Sequence, residues 1–273
     1  MRVFLIWLPG TVHALRIKAL FNSFIHNCKG RYLLRYAIIG DIHSNLTALE
    51  CVLADIEEQN VDSILCVGDI VGYAADPNEC VEIVREKADC VVCGNHDYGL
   101  TGQMTLDYFN ADARDALLWT EEQLYDDNRE WLKSLPLVAR HNGMLLTHST
   151  PCHPEDFDYI QTIYDARLAF EHLDCQIGFI GHSHIPVIFT EDEYVDYYLV
   201  EEFDVSYNQR LIINVGSVGQ PRDLDPRACY AVLDDAEGKL FIRRKEYDVE
   251  AAASRILEAG LPEVNANRLF LGR

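Results

Sequence analysis

The sequence predicts an α/β fold, and three observations carry that prediction. Between residues 35 and 94, short apolar runs alternate with segments of helical period, the order that builds a parallel sheet with covering helices. From about residue 137 onward, strand-like runs dominate. No repeat, low-complexity tract or linker separates the two halves, so residues 35–273 read as one domain, large enough to bury a sizeable core.

The elements follow in order. "YAIIG" is a short buried strand. "SNLTALECVLADIEEQ" is a helix capped by Ser44 or Asn45, with Leu46, Leu49, Leu53 and Ile56 on one face. "SILCVGD" is a second strand, "PNECVEIVREK" a helix opened by proline, and "DCVVCGN" a third strand that ends in a polar turn. Residues 105–134 form two helices. The strands "LVARH", "MLLTH", "IGFIGH" and "RLIINVG" follow, interrupted by the helix "IYDARLAFEHL". "CYAVLDDAEGKLFIRRKEYD" is a hairpin turning at Ala236-Glu237-Gly238, and "VEAAASRILEAG" is a closing helix.

Residues 1–34 differ from the rest. Up to residue 35 the chain carries six Lys/Arg and no Asp or Glu, leaving 17 basic against 44 acidic residues beyond it. Ile17, Leu20, Phe21, Phe24 and Ile25 share one helical face. Two readings stay open: a start-site artefact, with Leu34 a decoded non-ATG start, or a peripheral basic amphipathic helix. A transit peptide would carry more serine than Ser23 alone, and "VFLIWL" is too short for a secretory signal.

The formal net charge of −21 argues against nucleic-acid backbone binding, which rests on Lys and Arg neutralising phosphates. No stretch nears the about 18 apolar residues of a membrane span. Nine cysteines in no framework point to buried, reduced thiols in a cytoplasmic protein. Cys90 and Cys93 form a C-x-x-C, but an odd offset in a strand sends the two side chains to opposite faces, which favours core packing.

Metal-competent side chains follow five of the predicted strands: Asp41 and His43, Asp69, Asn95 and His96, His148, and His182 and His184. In open α/β sheets the carboxyl ends of strands are where ligands bind, so these groups should converge on one rim. Taken alone, Asp41 is better read as a helix cap and each histidine as a satisfied surface or core residue. Eight donors from five strand ends reverse that balance. Carboxylate, amide and imidazole donors without thiolate suit manganese, iron or zinc, and their number exceeds the needs of one ion.

"GDIHSN", "GDIVGY", "GNHD", "LLTHS" and "GHSH" resemble, in order and approximate spacing, the motifs of the calcineurin-like metallophosphoesterases. The tail "NVGSVGQPRDLDPRACYAVLD" is similar to the compact prokaryotic branch, and the resemblance covers about Arg35 to Tyr247. It implies a four-layer αββα sandwich of two mixed sheets and a dinuclear site at strand C-terminal ends. Asp41, His43 and His184 would hold one ion, Asn95, His148 and His182 the other, and Asp69 would bridge them. His96 would be the catalytic histidine, facing a small phosphate mono- or diester, such as a nucleotide, that is attacked by water activated between the ions. Asp97 either orients His96 or caps the next turn.

Two departures weaken a second reading, a Ser/Thr phosphoprotein phosphatase. That branch carries Arg where Cys93 stands, and an Asp paired with the catalytic histidine where Gly72 stands. A cation is still needed to hold substrate. Arg222 is the candidate, with Tyr73 and Asn45 as further pocket residues, whereas Arg227 is expected to pair with Asp223 or Asp225. A third reading, a metal-binding scaffold without chemistry, predicts lost ligands, and every ligand position is filled. A nuclease conflicts with the net charge.

Overall fold

A computed structural model of the chain describes residues 34–206 and 208–273. The acid-free extension of residues 1–34 lies outside the described residues, apart from Leu34.

The first half alternates as expected. Strand β1 (Arg35–Ile39), helix α1 (Leu46–Glu58), β2 (Ser63–Cys66), α2 (Pro77–Lys87) and β3 (Cys90–Val91) place three parallel strands side by side. Strand β3 is shorter than its apolar run suggests. The Val92 N–H still donates to the Cys66 carbonyl of β2 (3.1 Å), and the chain leaves the ladder at Cys93, whose N–H donates to the Pro136 carbonyl (2.8 Å). The expected polar turn after it is instead the start of a short helix, α3 (Asn95–Leu100), with Gly94 at its N-cap. Helices α4 (Ala111–Gln123) and α5 (Asp126–Lys133) complete this half.

The second half supplies β4 (Val138–His141), β5 (Met144–Thr147), α6 (Ile163–His172), β6 (Ile177–Ile180), β7 (Val187–Glu191), β8 (Val195–Tyr198), β9 (Glu202–Asp204) and β10 (Arg210–Asn214). Strands β11 (Ala228–Asp234) and β12 (Lys239–Lys245) form the expected hairpin, in which Asp234 Oδ1 accepts from the Ala236 and Glu237 N–H groups. Helices α7 (Val249–Glu258) and α8 (Glu263–Leu271) close the chain.

Two six-stranded mixed sheets result, ordered β3-β2-β1-β11-β12-β9 and β4-β5-β6-β10-β7-β8. Strand alternation divides the apolar side chains between two faces. Ile38, Leu65 and Val67 of the first sheet meet Leu146, Phe179 and Ile213 of the second in a shared core. Ala37, Ile39 and Cys66 point the other way, under Leu49 and Val52 of α1 and Val81 of α2. Phe189 and Ile212 pack outward against Ala169 and Phe170 of α6. The fold is therefore four layers, helix, sheet, sheet, helix.

Cys93 is buried and Cys90 half-buried; burial pushes both thiols up, as packing rather than metal chemistry requires. The eight described cysteines are free. No helix among the described residues is long and apolar enough to cross a membrane.

Candidate metal centre

The turns leaving β1 and β2 are locked together by main-chain bonds. The Asp41 N–H donates to the Gly68 carbonyl (2.9 Å), and those of Ile42 and His43 donate to the Asp69 carbonyl (2.8 and 3.0 Å). Asp41, His43, Asp69, His182 and His184 all adopt left-handed backbone, with φ of 51°, 51°, 53°, 67° and 59°. Such a conformation costs a non-glycine residue about 1–2 kcal/mol. It persists where the surroundings enforce a side-chain direction. The neighbouring glycines leave room for the carboxylates. A Cβ on Gly94 would lie 2.1 Å from Asp69 Oδ1, and one on Gly181 2.2 Å from Asp41 Oδ2.

These bends gather the side chains. The ligand-competent atoms of Asp41, His43, Asp69 and His184 lie within 4.8 Å of one another, as do those of Asp69, His148 and His182. Asp69 belongs to both groups, and all six residues are buried. Asn95 Oδ1 joins the second group, 3.2 Å from His148 Nε2.

Hydrogen bonds assign the imidazole tautomers. His43, His148 and His184 each aim Nδ1 at a main-chain carbonyl, of Val71 (3.0 Å), Val67 (2.9 Å) and Gln220 (2.6 Å). A carbonyl only accepts, so Nδ1 carries the proton and a neutral ring keeps its Nε2 lone pair. Those lone pairs face other acceptors. His43 Nε2 is 3.1 Å from His184 Nε2, His184 Nε2 is 3.2 Å from Asp41 Oδ1, and His148 Nε2 is 3.2 Å from Asp69 Oδ2. Converging lone pairs in a buried site repel one another unless a cation lies among them. The residues present therefore fit a divalent metal, and the main-chain carbonyls behind the rings are the usual outer support of such a site.

The electrostatics agree. Burial drives His43 and His184 well below the usual imidazole range and lowers His182 to about 3, so all three stay neutral. Burial opposes charge on Asp69, but His148 and His96 outweigh it and hold the carboxyl well below its ordinary range. Burial likewise opposes charge on His148, but Asp69 beside it prevails and raises His148 to about 9. A proton on that pair is what a divalent ion would displace.

His96 is buried and belongs to neither ligand group, although its main-chain N–H donates to Asp69 Oδ1 (2.8 Å). Its Nδ1 has no hydrogen-bond partner among the described residues, and burial lowers it to about 4. Gly72 abuts it so closely that a Cβ there would lie 2.3 Å from Nδ1. The ring is held by packing: Tyr73, His43 and Phe109 lie 4.6, 4.7 and 5.1 Å away, centre to centre. Asp97 is not its partner. Asp97 Oδ1 accepts from the N–H groups of Ile70 (3.0 Å) and Val71 (3.2 Å), and Oδ2 from Gly94 (3.0 Å). Of the two roles open to Asp97, the cap is realised, and it also staples the Asp69 turn to the His96 turn.

The site opens into a cavity of about 570 Å³ lined by Asp69, Asn95, His96, His182 and His184. Arg222 and Tyr73 line it too. Arg222 Nη2 donates to Gln220 Oε1 (2.9 Å) and the Tyr73 hydroxyl (3.2 Å), and its guanidinium lies 5.6 Å from the Tyr73 ring centre. Tyr73 has left-handed backbone, φ 56°. Asn45 does not line the cavity. Its Oδ1 accepts from Ala48 N–H at the start of α1, and its Nδ2 donates to the Gly219 carbonyl, so both halves of the amide serve structure. Arg227 pairs with Asp225, while Asp223 pairs with Arg244. Tyr98, Tyr108, Phe109, Phe157 and Tyr159 also line the cavity. They lie outside every metal-competent motif, and only their aromaticity in acidic loop sequence could have marked them.

A carboxylate shared by two imidazole groups, at the strand ends of a two-sheet sandwich, defines a metal-binding α/β protein. The chain belongs to the calcineurin-like phosphoesterase superfamily, whose domain model matches residues 34–238. It is 42% identical over 243 residues to an uncharacterized protein of Methanocaldococcus jannaschii, covering 87% of this chain and 98% of that one. The crystal structure of a metallophosphoesterase from Sphaerobacter thermophilus is 41% identical, with a TM-score of 0.79 over 89% of this chain and 100% of that one. A symmetrical bis(5′-nucleosyl)-tetraphosphatase of Glaesserella parasuis is 31% identical over 121 residues, covering 41% of this chain and 43% of that protein.

Proposed function

We propose that residues 35–273 form a single catalytic domain that hydrolyses a small phosphate mono- or diester with the aid of two divalent ions. Asp41, His43 and His184 would hold one ion, and Asn95, His148 and His182 the other, with Asp69 shared. The observation that carries this reading is the convergence of imidazole nitrogens on Asp41, Asp69 and Asn95, which a divalent cation satisfies by displacing the proton held there. When bound, such ions supply Lewis acidity to the phosphoryl oxygens and lower the pKa of water.

The chain's own residues do the rest. Arg222 presents a guanidinium at the cavity, already oriented by Gln220 and Tyr73, to bind a phosphoryl oxygen. His96 lines the same cavity and is kept neutral by burial, suited to donate a hydrogen bond to the phosphate or to the leaving oxygen. Its packed ring keeps a fixed direction without an acidic partner. The net charge of −21 supports a small-molecule rather than a nucleic-acid substrate, and free buried thiols support a cytoplasmic setting.

The test is turnover of p-nitrophenyl phosphate and bis-p-nitrophenyl phosphate with added manganese, beside Asp69→Ala and His96→Ala. Wild-type turnover well above both variants is expected. Equal rates with every divalent metal tried would sink the reading, and the monoester-to-diester ratio assigns the ester class.

A further inference from the structure

Arg222 has a long side chain, and it serves the cavity only if its own turn and its ring partner are both held. Its Nε is buried without a hydrogen-bond partner among the described residues, so the guanidinium keeps a donor for an anion. The main chain is strained on both sides of the Arg222–Tyr73 contact. Tyr73 has φ 56°, and Leu224, two residues past Arg222, has φ 70°. Bulky residues avoid left-handed backbone, which persists where the surroundings enforce it. Leu224 is 67% exposed, so burial of its side chain does not enforce the turn.

Helix α8 reaches both turns. At its C-terminal end the Gly272 carbonyl accepts from the Leu224 N–H (2.9 Å). Gly272 is left-handed, φ 60°, and a Cβ there would lie 2.6 Å from the Asp225 main chain. Only glycine lets the helix end lie so close to the turn. Near the start of α8, Asn265 Nδ2 donates to the Tyr73 carbonyl (3.4 Å). Ala266 and Leu269 share an apolar cluster with Ala74, the residue after Tyr73. Ion pairs tie down the same two segments: Asp223 with Arg244 of β12, and Asp76 with Arg255 of α7.

Asn265 is the telling residue. It is fully buried, and its Oδ1 has no partner among the described residues. A buried oxygen left unsatisfied costs stability, and a leucine of the same shape would pack there without that cost. What asparagine adds is the N–H donor aimed at Tyr73.

We infer that α8 braces the substrate-binding arm. Asn265 and Gly272 are positioning residues that hold Tyr73 and the Arg222 turn at one separation, and so fix where the guanidinium points. Neither residue lines the cavity. The inference rests on Arg222 as the cation that binds the phosphoryl group, and it adds a determinant that acts from outside the site.

Calorimetric titration of inorganic phosphate into manganese-loaded protein tests the brace without turnover. Gly272→Ala and Asn265→Leu should each weaken phosphate binding about tenfold, as expected when one charge-assisted bond is misaligned. In an Arg222→Ala background neither should weaken it further, because both act through the guanidinium. The urea midpoint separates positioning from folding. Asn265→Leu removes a buried unsatisfied oxygen, so its midpoint should match or exceed that of wild type while phosphate affinity falls. Wild-type affinity in both variants would overturn the inference. So would an equal loss in the Arg222→Ala background, affinity lost only together with stability, or phosphate binding that Arg222→Ala leaves unchanged. Turnover of the two p-nitrophenyl esters is read separately. A protein that binds phosphate through Arg222 but turns over neither ester refutes the phosphoesterase reading and not the brace.

Discussion

Asp97→Asn is the perturbation that tests the staple between the two central turns. Asp97 is fully buried and accepts three main-chain bonds, from Ile70, Val71 and Gly94. Burial, and then Asp69, push its carboxyl up to about 7, while the donors from Gly94 and Val71 pull it down. All three partners are donors, so a protonated Asp97 would bury an O–H without an acceptor, and the ionised form suits the geometry. Asparagine can keep Oδ1 on Ile70 and Val71, but its NH₂ then faces the Gly94 N–H. One bond is lost, two become neutral, and a buried N–H is orphaned, together about 3–4 kcal/mol. Relief of the like charge beside Asp69 returns about 1 kcal/mol at the effective dielectric of such sites. The net expectation is a loss of about 2–3 kcal/mol, read as a lower urea midpoint with an unchanged slope. A loss under about 1 kcal/mol would mean that Asp97 is held neutral and would refute the assignment of an ionised staple.

Three further outcomes follow from the same geometry. Manganese at about 100 times its Kd should stabilise wild type by about 2.7 kcal/mol per site, raising Tm by roughly 5–10 °C, and a chelator should reverse it. Asp69→Ala should lose most of that shift in a thermal melt, so an equal shift in both proteins would contradict a shared carboxylate. Gly72→Ala places a methyl 2.3 Å from His96 Nδ1 at φ +100°, and should cut turnover at least about a hundredfold while leaving bound metal, measured by elemental analysis, near wild type. Asp55 is the acid-stability case. Burial raises it, but bonds from Arg243, Tyr230 and Lys245 prevail and hold it at about 2. A depressed carboxyl stabilises the fold above its unfolded value of 3.8, and that share is lost as pH falls toward about 2. The stability gap between wild type and Asp55→Asn, about 1–2 kcal/mol after solvent screening of the cations, should therefore narrow between pH 5 and pH 2.

The parts of the fold that were legible obey local rules. Strands β1 and β2 and helices α1 and α2 are dense in apolar residues with a clear period, and the β11–β12 turn carries a glycine at φ +65°. Strands β8 and β9 were not legible because their partners, not their residues, make them strands. Strand β8 is an edge with three exposed residues in four, and β9 is three residues long. Helix α8 follows the same logic. Ala266 and Leu269 bury against Ala252, Ala253 and Ile256 of α7, so its helical face has meaning only beside that neighbour.

The site divides along the same line. Most ligands are legible because a strand end, a glycine and a metal-competent residue are adjacent in sequence: Gly94 and Gly181 clear space for carboxylates from other strands, and left-handed backbone at Asp41, His43, Asp69, His182 and His184 sets the direction of those side chains. Local covalent geometry therefore writes the metal centre into short motifs. The walls obey no such constraint. Phe109 touches His96, and Tyr159 stacks on His182, from loops distant in the chain. A loop can deliver a ring to that wall from many sequences, so nothing local marks it. Asn45 shows the converse, since it sits inside a motif yet spends its amide on the fold, capping α1 through Oδ1 and donating Nδ2 to the Gly219 carbonyl. Membership of a motif identifies the turn, and only the direction of the side chain decides whether a residue in that turn acts on the substrate or on the fold.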